Sequence, residues 1–200
     1  MGKIIHGNKN CGYAPIELNG SIYSFGTPVM LPGLVEANIE VEQSTTNIYA
    51  DDTVFCTVKG AKVRSANLKF RNIPASYAPY LGFVANANGE FTDTGSFANH
   101  CIFFETEEED CDTGVSTTTL HYLYNVQGSE PTHESKTDED EVEAAEIEVE
   151  YSALDSQFVV DDSNNIVQYG YITRTNINKN LYDTFKSAVI LPTDSIPASI

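Results

Sequence analysis

The sequence predicts a mostly-β protein, a two-sheet β-sandwich or barrel with one short helix and a C-terminal helix. Three observations predict it. Several segments alternate apolar and polar residues at a period of two, as half-buried strands do. Turn signals of the Asn-Gly and Pro-Gly type recur between those segments. The composition, 41% apolar with ten Phe and eleven Tyr, is that of a globular chain rich in residues that suit a pleated surface. Two hundred residues make one domain, 1–200, long enough to bury roughly 70% of the surface of the unfolded chain.

Residues 1–31, rich in Gly, Asn and Pro, read as an N-terminal arm with a hairpin in YAPIELNGSIYSFG, its two runs joined at Asn19-Gly20. Pro32-Gly33 leads into a strand over 34–42, in which Val35, Ala37, Ile39 and Val41 face one way and Glu36, Asn38, Glu40 and Glu42 the other. TTNIYADD is a second short strand ending at Asp51-Asp52, and 61–73 a third, where Ala66, Leu68 and Phe70 alternate with Asn67, Lys69 and Arg71. PASYAPYLG is a one- or two-turn helix: Pro74 starts it, Pro79 keeps it short and Gly82 stops it.

Asn88-Gly89 is a turn, FANHCIFFET a buried strand, and EEEDCDTG an acidic loop. STTTLHYLYNV is a strand with Leu120, Tyr122, Tyr124 and Val126 on one side. A long polar loop, 128–142, follows. The strand 144–151 then sets Ala145, Ile147, Val149 and Tyr151 against Glu146, Glu148 and Glu150; its Glu and Ala also suit a helix, but the period is two. SQFVVDDSNNIVQYGYITRT is a hairpin turning across Asp161–Asn165. Leu181, Phe185, Ala188 and Val189, at i, i+4, i+7 and i+8, predict the C-terminal helix, closed by Pro192, with a tail over 191–200.

Charge is unevenly placed. The net charge is -18, and between Glu105 and Glu150 sixteen acids meet one base, Lys136. From Lys59 to Arg71 five bases (Lys59, Lys62, Arg64, Lys69, Arg71) meet no acid. Such an acidic chain is a poor candidate for gripping nucleic acid, because affinity for phosphate comes from Lys and Arg; its charge either repels nucleic acid or only keeps an abundant protein soluble. The carboxylates at alternate positions of 35–42 and 144–151 must face water. Were the two strands sheet neighbours, like charges about 5 Å apart would repel by about 0.8 kcal/mol per pair in water. The basic strand either balances acids of its own subunit or meets acidic loops of another copy.

No signal peptide or membrane-spanning run is visible, and Cys11, Cys56, Cys101 and Cys111 show no C-x-x-C pair. The expectation is a protein of a reducing cytosol with free thiols. His6, His100, His121 and His133 are scattered, and no nucleophile elbow, phosphate loop or zinc motif occurs. Nothing predicts an enzyme, and no cofactor or metal is expected. The acidic runs EEEDCD and DEDEVE offer oxygen ligands but lack the twelve-residue calcium loop.

The run SFGTPVMLPGLVEANIE, followed by IYADD, resembles the front of the major tail tube proteins of long-tailed bacteriophages. A P-G strand and a Y-A-D-D strand end recur in that group, here at Pro32, Gly33, Ile39, Tyr49, Ala50, Asp51 and Asp52. The similarity continues in order. The short helix ends at Leu81-Gly82, an Asn-Gly turn follows, then the aromatic strand LHYLYNV and an acidic segment through Thr137, Asp140, Val142 and Glu143. The acidic 105–112 stretch and the C-terminal helix and tail depart from the pattern.

The resemblance implies a virion structural protein, made and assembled in the host cytoplasm. Its copies would form hexameric rings stacked into a tube around a tape-measure protein, with tail terminator and distal tail proteins at the ends. An electronegative bore would let DNA pass during genome delivery without binding it. On that reading the lumen-facing candidates are Glu36, Glu40, Glu42, Glu146, Glu148 and Glu150. The inter-subunit candidates are Lys62, Arg64, Lys69, Arg71, Asp138, Glu139, Asp140 and Glu141. The alternative is a soluble β-sandwich binding module of the adhesin or receptor-binding type, with acidic loops that bind calcium.

Overall fold

The computed structural model describes residues 2–133 and 145–194. In chain order the elements are β1 (Lys3–Asn19), β2 (Ile22–Phe25), β3 (Val29–Met30), β4 (Leu34–Ala50), β5 (Thr53–Phe70), a 3-10 helix (Ala75–Leu81), β6 (Phe83–Ala85), β7 (Phe91–Asp93), β8 (His100–Asp110), β9 (Ser116–Gly128), β10 (Thr132–His133), β11 (Ile147–Ala153), β12 (Tyr169–Thr173) and α1 (Lys179–Phe185). The fold is mostly β, as the alternating segments predict. Its main sheet runs β2-β1-β8-β9-β11-β5-β4, with β3 on β1, β10 on β11 and β12 on β9, while β6 and β7 form a separate two-stranded sheet.

The main sheet rolls on itself. Its last strand returns to its second, where Asn8 Nδ2 donates to the Val35 carbonyl at 3.2 Å. Inside the roll lies one apolar cluster: Tyr13 from β1, Leu68 and Phe70 from β5, Ile102 and Phe104 from β8, Val149 and Tyr151 from β11, and Tyr77 and Leu81 from the 3-10 helix. Strands β8 and β9 are apolar on both faces. Their outward side chains Cys101, Phe103, Leu120, Tyr122 and Tyr124 make a second cluster beneath α1 (Tyr182, Phe185) and Ile190.

Turn chemistry sets the connections. The β1–β2 hairpin turns through Gly20, at φ +69°, next to the pair Asn19↔Ile22. Asp51 and Asp52 both take positive φ, 48° and 58°, the mirror-image geometry a two-residue hairpin needs. The 3-10 helix carries Pro79 and ends at Gly82 in the left-handed region, as the spacing of its prolines predicts.

Several sequence expectations are corrected. Residues 34–42 and TTNIYA are one strand, not two, and β4 and β5, of 17 and 18 residues, form one long hairpin. Residues 3–19 are a single strand; the arm expected there is paired with β8 over most of its length. The acidic residues Glu107–Asp110, expected in the loop EEEDCDTG, belong to β8. They are drawn into the ladder because β1 supplies backbone partners and the charge of Lys9, which reaches Glu107 at 3.1 Å; His6 lies 3.5 Å from Glu109.

Val126 does not share a face with Leu120, Tyr122 and Tyr124. The register slips between His100↔Val126 and Ile102↔Leu123, and this irregularity turns Val126 into the inner cluster. The strand expected from 144 starts at Ile147. The hairpin at Asp161–Asn165 has one β-bridge, Val160↔Ile166, and a turn in which the Asp161 carboxylate accepts from the Ser163 and Asn165 amides; its second arm goes on to pair with β9 as β12. Helix α1 stops at Phe185. Beyond it Val189, Ile190 and Leu191 pack on the second cluster without helical geometry, and the Tyr124 hydroxyl donates to the Ile190 carbonyl at 2.9 Å. The apolar residue at 189 thus reflects packing of non-helical chain, while Ala188 is exposed.

Candidate functional site: an acidic sheet face and a projecting hairpin

The outward face of β4, β5 and β11 is covered by no other described element. Inward-facing Ala66, Leu68 and Phe70 fix which way β5 lies, and Val149 and Tyr151 do the same for β11. All six glutamates named from the sequence stand on the opposite, outer face: Glu36, Glu40 and Glu42 on β4, Glu148 and Glu150 on β11, and Glu146 just before it.

The two acidic rows are not neighbours. Strand β5 runs between them, pairing Lys69 with Glu36 on one side and with Glu148 on the other. The rows are therefore about 10 Å apart, two strand spacings, and like-charge repulsion falls to about 0.4 kcal/mol per pair in water. The middle row answers both sides. Lys69 Nζ lies 2.7 Å from Glu36 Oε2 and Arg71 3.2 Å from Glu146 Oε1. Asn67 Nδ2 donates to Glu148 Oε1, and Asn38 Nδ2 to Glu40 Oε1 at 2.8 Å. The hydrogen bond to Glu36, and behind it the charges of Glu36, Glu148 and Glu146, hold the Lys69 ammonium above its ordinary pKa. Six carboxylates against two cations leave this face strongly negative. The sequence put the bases and acids on separate strands; it did not show that they interleave.

Of the inter-subunit candidates, Lys69 and Arg71 have carboxylate partners within their own subunit. Lys62 and Arg64 lie elsewhere, where β5 leaves the roll. There Arg64 stacks over the Tyr169 ring, 4.5 Å from its centroid, and burial lowers its guanidinium pKa. The Tyr169 hydroxyl and His121 Nδ1 are 2.8 Å apart, and His121 Nε2 and Thr106 Oγ1 are 2.9 Å apart. Asp138, Glu139, Asp140 and Glu141 lie outside the described residues.

Beyond Glu40 and Ser65 the β4–β5 hairpin leaves the body. Nine residue pairs at strand rise carry it about 30 Å outward. Both strands are solvent-exposed there, with Phe55 75%, Tyr49 66%, Val63 60% and Val54 50% accessible. The far edge of β4 pairs with no described strand over its 17 residues. A lone two-stranded ribbon is marginal in water, and a long apolar edge is a template for further pairing. The surface calls for a partner. The sequence hid this arm because Gln43–Thr45 and Gly60 look like breaks. In the structure a register shift sits there, and a Cβ at Gly60 would fall 2.2 Å from Ser44 Oγ.

Two groups escaped the sequence reading. Glu105, at the end of the predicted strand FANHCIFFET, was given no role, yet it is 2% exposed, accepts Asn10 Nδ2 at 2.6 Å and pairs with the Lys186 ammonium. Its position two residues after Phe103 and four after Cys101 was the available signal. His100 is fully buried; its Nδ1 donates to the Ala98 carbonyl at 3.1 Å, so its Nε2 accepts from the Tyr77 hydroxyl at 2.6 Å. Cys101, its neighbour, points into the other cluster, as alternation requires. The four cysteines are free. Among the described residues, no group of three or more His, Cys, Asp or Glu is placed to hold a metal ion.

A family model described as phage tail tube protein matches residues 2–198 of the chain. No curated protein matches the sequence.

Proposed function

Since the chain belongs to the phage tail tube protein family and is thus a structural subunit of the virion tail, we propose that its copies close into hexameric rings that stack into a tube. The acidic face of β4–β5–β11 would line the bore and DNA would pass along it. One observation carries this reading: six glutamates stand on a single uncovered sheet face whose free edge and projecting hairpin demand further β pairing.

The physical case is a division of labour within one hairpin. At its base, inward apolar residues anchor the sheet to the body and the outward carboxylates meet water. DNA bears one negative charge per roughly 1.7 Å of axis. A wall with net negative charge gives the phosphates no place to bind, and Lys69 and Arg71 are occupied by glutamates rather than held out to a ligand. The distal part of the hairpin offers apolar side chains and an edge to neighbouring copies, which would bury them. The tape-measure protein would occupy the same bore before DNA does, terminator and distal tail proteins would meet the ends of the stack, and assembly would take place in the host cytoplasm.

Electron microscopy of the purified protein tests the architecture, with tubes of six-fold rings expected. Charge tests the lining. Tubes of a variant with Glu40, Glu148 and Glu150 replaced by Lys should retain duplex DNA at low salt, whereas tubes of the unaltered chain should not. Equal retention by both would remove these residues from the bore.

A further inference from the structure

Where β5 separates from β11, at the pair Ser65↔Ser152, the chain leaves a cleft of about 500 Å³. Lys62, Arg64 and Tyr169 form one part of its lining, and Asp155 and Gln168 another. Asp155 is engaged by Gln168 Nε2 at 2.9 Å. The cations are not so engaged. Lys9, Lys69, Arg71, Arg174 and Lys186 each have a carboxylate partner within the chain. Lys62 and Arg64 have none among the described residues, and Arg64 Nε is buried with no acceptor. In a chain of net charge -18, a cleft carrying two uncommitted cations is built for an anionic partner.

We infer that this cleft receives the acidic segment 134–144 of a second copy of the chain. The segment, ESKTDEDEVEA, holds six acids and one base, so its charge complements the cleft. Reach decides between the same copy and another. The segment's C-terminal anchor precedes Ile147, which pairs with Phe70, and β11 then runs toward Ser65; the segment therefore joins at the end of β11 farthest from the cleft. From Phe70 to Lys62 is eight residues, about 26 Å along the strand. The middle of an eleven-residue connection extends at most about 20 Å from its anchors. At full extension the backbone of a subunit's own acidic stretch would reach only the near rim of its cleft, at Arg64, six residues or about 20 Å from Phe70, and would stop short of Lys62, whereas a neighbour's is under no such limit. The inference rests on the tube reading for the presence of that neighbour.

The test uses a fluorescent synthetic peptide of residues 134–144 and the full-length chain. Binding should weaken steeply with added salt, and Lys62→Glu should weaken it about tenfold or more. That variant leaves the Arg64–Tyr169 stack in place, so the fold is kept, and near-ultraviolet circular dichroism checks this. Unchanged affinity in Lys62→Glu overturns the inference. So does displacement of the peptide by an equal charge of duplex DNA, which would mark the cleft as a phosphate grip. In assembly, Lys62→Glu should reduce tube yield and Glu139→Lys in the same chain should restore it; tubes of normal yield from Lys62→Glu alone would also overturn it. A chain that forms no tubes yet binds the peptide through Lys62 would remove the tube reading and support this contact.

Discussion

The rolled sheet has two outward faces, and they are finished in opposite ways. On β8 and β9 the outward residues Phe103, Leu120 and Tyr122 are apolar and lie beneath α1 and the chain after it. On β4, β5 and β11 the outward residues are Glu, Lys, Arg and Asn and lie beneath nothing described. The same pleat serves both, since alternation delivers the second face of each strand whatever it is used for. The difference lies in which face the subunit completes by itself.

The comparison predicts a steep gradient of mutational effect. Phe103→Ala removes a fully buried ring that meets Phe185 edge-on at 5.9 Å. It should cost about 3–5 kcal/mol in chemical denaturation, the largest effect expected here. Next comes His100, in the interior between the faces. Burial lowers its pKa to about 4, against 6.5 for the free side chain. The folded state thus resists a proton that the unfolded state accepts, and stability falls as pH drops from 6.5 toward 4. The loss should reach about 3 kcal/mol, read as the difference in pH dependence between the unaltered chain and His100→Gln. Parallel curves for the two would show that His100 is not the group responsible.

Lys186→Met strips the Glu105 carboxylate of its cation while Asn10 still donates to it. A loss of about 2–3 kcal/mol is expected, below the usual cost of breaking a fully buried pair because the lysine side chain is 31% exposed. Smallest of all should be Lys69→Ala on the bare face. Its partner Glu36 is itself 57% exposed, and pairs of this kind contribute little. The denaturation midpoint should stay where it is. A large shift there would mean that the acidic face has a structural task within the single subunit, and the contrast between the faces would fail.

How far the sequence foretold this depends on which interaction wrote the pattern. Alternation of Ala66, Leu68 and Phe70 with Asn67 and Lys69 is a local signal of burial, and it placed all six glutamates on the outward face. What alternation cannot carry is strand order. That the basic strand lies between two acidic ones depends on β11 crossing to β5, a pairing of residues 81 positions apart for Asn67 and Glu148. Local signals also erred where tertiary partners overrode them. Glu107–Asp110 read as a loop by charge alone, but β1 turned them into strand. Val189 fits a helical period by chance of spacing, while its packing holds it outside α1. The cleft at Lys62 and Arg64 joins residues more than a hundred positions apart, so no window along the chain contains it.

The hairpin beyond Ser65 has a kinetic consequence. Past the Arg64–Tyr169 contact its amide ladder pairs with no other described strand and its side chains stay exposed, so in a free subunit it belongs to the part that opens most readily. The region richest in sticky side chains is then also the one whose strands come apart and re-form fastest. Two stray molecules that meet there hold each other briefly and separate, and lasting adhesion waits until several neighbours fasten the ribbon along its length at once.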